Sequence, residues 1–268
     1  MTNIFAYAER CLYDADIAQK LQLTQQAMSL CEQELLDYSD VGIILSAAEV
    51  CFPDKPKLLR PRDMPRRRLD TAEGRVAFYH ALAHIEFMAI YLAWDIVYRF
   101  RGLPQAFYQD WLRIAAEEAE HFVLLREILL QQGVDYGDLP AHHGLWEHAV
   151  LTSDDVLARL AVVPRCMEAR GLDVSPGMII RLAETDDDDG VDVLSRIYQD
   201  EIGHVQCGSF WFKQFCEMQA IDAEQHFTDL LRKYFKGIPK GPFNREARII
   251  AGFSDFELNW LEDYADGR

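Results

Sequence analysis

A glutamate followed three residues later by a histidine occurs twice in the chain, in EEAEH at 117–121 and in DEIGH at 200–204. Both motifs lie in stretches whose apolar residues recur at helical spacing, and residues three apart on a helix share one face, about 5–6 Å apart at Cβ. Glu118 with His121, and Glu201 with His204, can each grip a metal from a single helix. In a chain with 19 Glu and 8 His, two such pairs mean little alone. Their placement says more.

Glu86 precedes Glu118 by 32 residues, and Glu168 precedes Glu201 by 33. The turn RGLP, 101–104, lies near the middle of the first interval, 15 residues after Glu86 and 14 before Glu118. At ~1.5 Å per residue both carboxylates sit roughly 21–23 Å from the turn, so they share one height in an antiparallel pair. The second interval has its midpoint near Glu184–Thr185, just before DDDDG at 186–190, and repeats the design with a Gly171–Pro176 break inside it.

The faces agree as well. Glu86 shares its stripe with Tyr79, Leu82, Ala89, Ile90, Ala93 and Val97. Glu118 and His121 lie with Trp111, Ile114, Ala115, Phe122 and Leu125, and Glu201 and His204 with Leu194, Ile197, Tyr198, Val205, Gly208 and Trp211. Such stripes face a core. A carboxylate there costs several kcal/mol unless it is paired or metal-bound. Four acids and two histidines converging on one interior are compensated by two divalent cations, and oxygen donors with one imidazole per metal suit iron or manganese.

The expected architecture is all-α: a ferritin-like four-helix bundle with a long crossover and extra N- and C-terminal helices. The spacing predicts an N-terminal helical extension over 1–51, with a helix at 3–36 and Tyr13, Ile17, Leu21 and Met28 on one face. A proline-rich basic arm follows at 52–71. The bundle occupies 72–219. Its helices are expected at 72–100 and 104–132, then after a 19-residue connection from a Thr152 or Ser153 cap to Arg170, then at 191–219, with a short helix from Pro176 between the last two. A tail of shorter helices, 220–268, packs on the bundle. No strand alternation is evident.

The segments HALAHIEF (80–87), AAEEAEHF (115–122), VPRCMEARGLDV (163–174) and QDEIGHVQCG (199–208) resemble a bacterial ferritin-like family of unassigned function. The resemblance covers most of the chain. It extends distantly to the ferritin-like hydroxylase that modifies tRNA, which has a comparable glutamate followed by Ala-Arg, here Glu168-Ala169-Arg170. It implies Glu86, Glu118, His121, Glu168, Glu201 and His204 as ligands of a di-metal centre, the same six residues, and supplies no substrate.

Other residues have plainer readings. Glu117 and Asp200 directly precede ligand glutamates, where an acid can orient a histidine; ordinary surface acids fit equally. Tyr198, Tyr91 and Trp211 could serve redox steps, but aromatic stripes are more often core. His80 and His84 fall about 120° and 160° from Glu86 on the helical wheel, a packing position. His142 and His143, with Glu147, could form a lid or a second site, but plain loop is the more common reading. Cys166 and Cys207 read as small apolar packing residues, and DDDDG as a solvated turn.

The net charge of −17 repels nucleic acid and anionic membrane. The exception is the arm at 55–68, with seven basic residues and one acid, which leaves the remaining chain at −23. The arm can bind an anionic substrate, or neutralise the acidic body of its own or a neighbouring chain as a homodimer contact. Six scattered cysteines without a CxxC, and the lack of a signal-peptide core or an 18-residue apolar run, predict a soluble cytoplasmic protein.

These features predict an oxygen-activating di-iron oxidase or hydroxylase, with manganese or a mixed pair as the alternative, O2 as co-substrate and an unidentified organic substrate. No flavin or dinucleotide motif is present, so electrons come from an external donor. Two other readings stay open: a ferroxidase or storage protein, and a non-catalytic metal-binding module.

Overall fold

The computed structural model describes residues 2–60, 63–64, 69–142, 144–235 and 239–267. Helix accounts for 70% of the chain and strand for 2%, so the protein is all-α. Its contacts divide into two compact units, 1–150 and 151–268.

In the first unit the helix expected over 3–36 is two helices, α1 (Ile4–Tyr13) and α2 (Ile17–Glu32). Asp14 closes the first, and the Asp16 carboxylate accepts from Gln19 N at 2.8 Å to start the second. The break resets the helical phase. The buried face of α2 is therefore Lys20, Leu23, Thr24 and Ala27, while Tyr13, Ile17, Leu21 and Met28, the predicted stripe, are only half-buried. Trp94 locks that face in place, its Nε1 donating to Thr24 Oγ1 at 2.9 Å.

Trp94 belongs to α3 (Ala72–Arg99), which is capped by Thr71 and buried at all but two of residues 78–99. By length and hydropathy α3 could cross a membrane, but 72% of its most apolar window is buried inside the protein and it carries Glu86, Asp95, His80 and His84. A helix apolar on every side is a core helix when others cover it. Here α1 and α4 (Gln105–Gln131) do so. Gly102, at φ +71°, turns the chain between α3 and α4, a left-handed backbone that glycine adopts without strain.

The arm forms no α-helix in its described part. Its β1 (Leu58–Leu59) pairs in parallel with β2 (Ala141–His142), strands too short for any sequence alternation to reveal. Pro61, Arg62 and residues 65–68 of the arm lie outside the described residues, as does His143. The 134–152 connection continues into α5 (Leu145–Leu151), whose Trp146 Nε1 donates to Ala47 O at 3.0 Å.

The second unit departs further from expectation. Asp155, rather than Thr152 or Ser153, caps α6 (Val156–Val162), accepting from Ala158 N. The chain then widens into a π-helical segment, Val163–Glu168, and continues without a break as α7 (Ala169–Ala183) through Gly171 and Pro176. The predicted end at Arg170 and the separate helix from Pro176 are thus one helix. An interior glycine costs only ~1 kcal/mol and a proline ~3 kcal/mol. Burial of Leu172 and Leu182, and the clamp of Arg248 and Asn244 on the Asp173 carboxylate, offset both.

The run DDDDG is a helix start as much as a turn. Asp187 caps α8 (Asp188–Met218), and Asp188 and Asp189 occupy its first turn, where negative charge is favoured. The tail supplies α9 (Ala223–Tyr234), α10 (Arg245–Ile250) and α11 (Asp255–Ala265). A fully buried ion pair ties it down: Arg165 Nη2 donates to both Glu257 oxygens at 2.8 and 2.7 Å and Nε to Ser209 Oγ, while Phe212, Phe227 and Phe253 surround the guanidinium.

Candidate metal centre

The antiparallel pair α3–α4 places Glu86, Glu118 and His121 in one cluster, with a ligand atom from each within 4.8 Å of the others. His121 Nδ1 lies 3.4 Å from Glu118 Oε2 and 3.5 Å from Glu86 Oε2. Glu86 is 4% exposed and Glu118 and His121 are 0%, so water does not solvate these charges. Equal distance from the Gly102 turn brings the two glutamates level, and the 118/121 spacing puts the imidazole on the same face.

The electrostatics follow from that confinement. Burial, with the neighbouring Glu118 adding to it, pushes the Glu86 carboxyl up to about 8. Burial works to lower His121, but the hydrogen bonds and charges of Glu118 and Glu86 outweigh it and push it up to about 12. Both shifts favour the protonated form, so without a cation the trio relieves its crowded charge by holding protons on the Glu86 carboxyl and the His121 ring. Ligands held at ~2.1 Å around one divalent ion lie about 3–4 Å from each other, so the observed separations fit such an ion.

In the second unit, α8 carries Glu201 and His204, with Oε2 and Nδ1 3.9 Å apart, beyond hydrogen-bond range. His204 is fully buried and the Glu201 side chain 13% exposed. Glu168 is half-buried at the end of the π segment, which packs on α8. Within this unit, and among the described residues, Glu168 does not join Glu201 and His204 in a three-ligand cluster. A π turn holds more residues than an α turn, so 3.6-residue periodicity does not carry through it. Such segments concentrate at functional sites. This one approaches α8 at Gly208, where a Cβ would lie 2.6 Å from Pro164 Cβ.

The residues singled out around the ligands have local partners. Arg113 donates to the Glu117 carboxylate at 3.2 Å, and Asp200 pairs with Arg196 at 3.7 Å, both four residues apart on their helices. Tyr198 OH accepts from Asn244 Nδ2 at 3.2 Å. His80 Nε2 accepts from Gly137 N and His84 Nδ1 lies 2.9 Å from Tyr136 OH, so both pack as hydrogen-bonded core histidines. Tyr91 OH donates to Cys51 O, and Trp211 packs between Phe210 and Phe215. Cys166 and Cys207 are buried thiols, and burial pushes Cys166 up to about 12.

Tyr136 is a residue that sequence reasoning passed over. It lies in the crossover, where no periodicity marks it, yet its ring meets Phe87 and Phe122, each next to a cluster residue, and its hydroxyl meets His84. Lys20 is a second: it is 1% exposed, its Nζ lies 3.9 Å above the Tyr91 ring, and burial lowers its pKa to about 8.

No solved structure matches the chain. An "Uncharacterized protein" of Haemophilus influenzae (strain ATCC 51907 / DSM 11121 / KW20 / Rd) is 41% identical over 271 residues, covering 97% of this chain and 94% of that protein. The family described as "Protein of unknown function (DUF455)" matches residues 13–259, nearly the whole length, and the chain therefore belongs to the DUF455 family.

Proposed function

We propose that the protein is a ferritin-like di-metal carboxylate protein, an oxygen-activating oxidase or hydroxylase of an organic substrate. The observation that carries this reading is the fully enclosed trio of Glu86, Glu118 and His121. Two carboxylates buried within reach of one imidazole are costly to a fold and serve a divalent cation well. Glu168, Glu201 and His204 repeat the same donor types in the second unit and are proposed to complete the ligand set.

When bound, a pair of iron or manganese ions supplies the redox chemistry that couples O2 to substrate oxidation, with electrons from a separate donor. The chain's own groups prepare for it. Glu86 and Glu118 hold the positive charge, and burial of α3 and α4 keeps water away. Glu86, Glu118 and His121 would hold a cation only in their deprotonated forms, so loading would release protons.

The test is metal content of the purified protein beside a Glu118→Ala/Glu201→Ala double variant, with ferrous loading and oxygen uptake measured on both. About two metal ions per chain with oxygen consumption, both lost in the variant, is the expected result. Metal binding with no oxygen uptake would leave a binding module, and a multi-subunit shell in solution would favour iron storage. Equal metal content in both proteins would sink the reading.

A further inference from the structure

Between α2 and β1 the chain runs as a strap along one face of α3, and the first part of the strap is an exposed apolar loop. Residues 39–46 are all exposed, Ile43 to 82% and Val41, Ile44 and Leu45 to at least 40%. The backbone beneath these side chains is fastened from behind. Asn3 Nδ2 donates to Ser39 O at 2.8 Å and Arg101 Nη1 to Val41 O at 3.2 Å. Tyr98 OH donates to Ile43 O at 3.1 Å and Arg99 Nη1 to Leu45 O at 3.2 Å. Four large apolar side chains on a fixed backbone lose little freedom on binding, and contiguous apolar surface of this kind marks an interaction site.

The strap is anchored at even steps. Tyr98, Tyr91 and His84 follow one another at seven-residue intervals of α3, ~10.5 Å each. Tyr98 holds the loop, Tyr91 OH donates to Cys51 O at 2.8 Å, and His84 shares a small cavity with Leu58 of β1. The exposed Cys51 therefore lies midway between the loop and β1. The two ends differ in charge. Residues 21–54 contain six acids and no Lys or Arg, with Asp37 and Asp40 beside the loop. At the other end the exposed Lys55, Lys57 and Arg60 surround Leu58, which is 41% exposed.

We propose that this strap is the interface of a two-fold homodimer, in which the apolar loop of one copy lies over the Leu58 strand of the other. A two-fold interface has to be self-complementary. Two straps laid antiparallel meet that condition: each acidic, apolar end covers a basic end, and the two Cys51 side chains face each other across the axis. A second copy suits the loop better than an anionic membrane, which the acids beside it repel. The interface is independent of the carboxylate centre and of the reading placed on it.

The experiment is sedimentation velocity of the full chain over a concentration series, with mild diamide oxidation of the same samples. A dimer is expected, weakened roughly tenfold or more by Ile43→Asp with the helical circular dichroism unchanged, since that side chain stands in solvent. Lys57→Glu is expected to weaken it at low salt, and diamide to cross-link the parent chain but not Cys51→Ser. A monomer at every concentration, a dimer that neither Ile43→Asp nor Lys57→Glu alters, or a dimer without the Cys51 cross-link would overturn the proposal. So would a monomer that floats with phosphatidylcholine vesicles and loses this in Ile43→Asp, which would assign the loop to a membrane.

Discussion

The two helical hairpins that carry Glu and Glu-x-x-His treat the same residues differently. The pair α3–α4 is regular throughout, and its cluster closes: three ligand atoms lie within 4.8 Å and nothing is more than 4% exposed. In the second unit the chain reaches Glu168 through a π segment, Glu201 and His204 stand 3.9 Å apart, and the glutamate of the π segment stays outside a closed trio. Identical donor types therefore do not make equivalent sites. The regular hairpin brings its three donor groups together, whereas in the π-helical one Glu168 lies outside such a trio among the described residues of that unit.

The sharpest way to break this contrast is single substitution. Glu118→Ala is expected to abolish metal binding, while Glu168→Ala leaves about one ion per chain, measured by elemental analysis. Equal losses would erase the distinction between the hairpins.

The next largest effect concerns what holds the π segment. Glu257→Ala leaves the Arg165 charge buried and uncompensated, which costs about 3–5 kcal/mol by urea denaturation. A loss under 1 kcal/mol would show that the segment does not depend on the tail.

The first unit has its own strained charge in Lys20. Its folded pKa, about 8, lies below the ordinary 10.5, so the unfolded chain binds the extra proton between those values and stability rises with pH across that window. Below pH 8 the cost is fully present, about 3 kcal/mol from the shift. Lys20→Met is expected to stabilise the protein at pH 7, with the gain shrinking from pH 8 towards 10.5. A gain independent of pH would point to packing instead.

Smallest is Gly208→Ala. The added methyl meets the Pro164 ring at 2.6 Å and costs about 1–3 kcal/mol through displacement of the π segment. An unchanged melting temperature would mean that the segment yields freely.

How much of this was legible in the sequence depends on range. The Glu86–Glu118–His121 cluster was readable because it needs only helix rise, one turn and one face. The break at Asp14–Asp16 was local too, but two capping acids were read as helix residues. The π segment was hidden because hydrophobic periodicity reports faces, not which carbonyl each N–H chooses, and Gly171 and Pro176 pointed to a break that Arg248 and Asn244, over 70 residues away, prevent. Lys20 over Tyr91, Tyr136 against His84 and Arg165 with Glu257 are pairings across 52 to 92 positions. No local pattern encodes them.

The Arg165–Glu257 pair has a consequence for synthesis. The segment that ends in Glu168 holds a guanidinium whose only carboxylate partner in the described structure is 92 residues later. A ribosome delivers that partner only 92 residues after the arginine. Until then the arginine has no reason to leave water, and the π segment has no reason to settle. A chain cut short before α11 therefore lacks the partner of Arg165, and the defect falls on the segment that ends in Glu168.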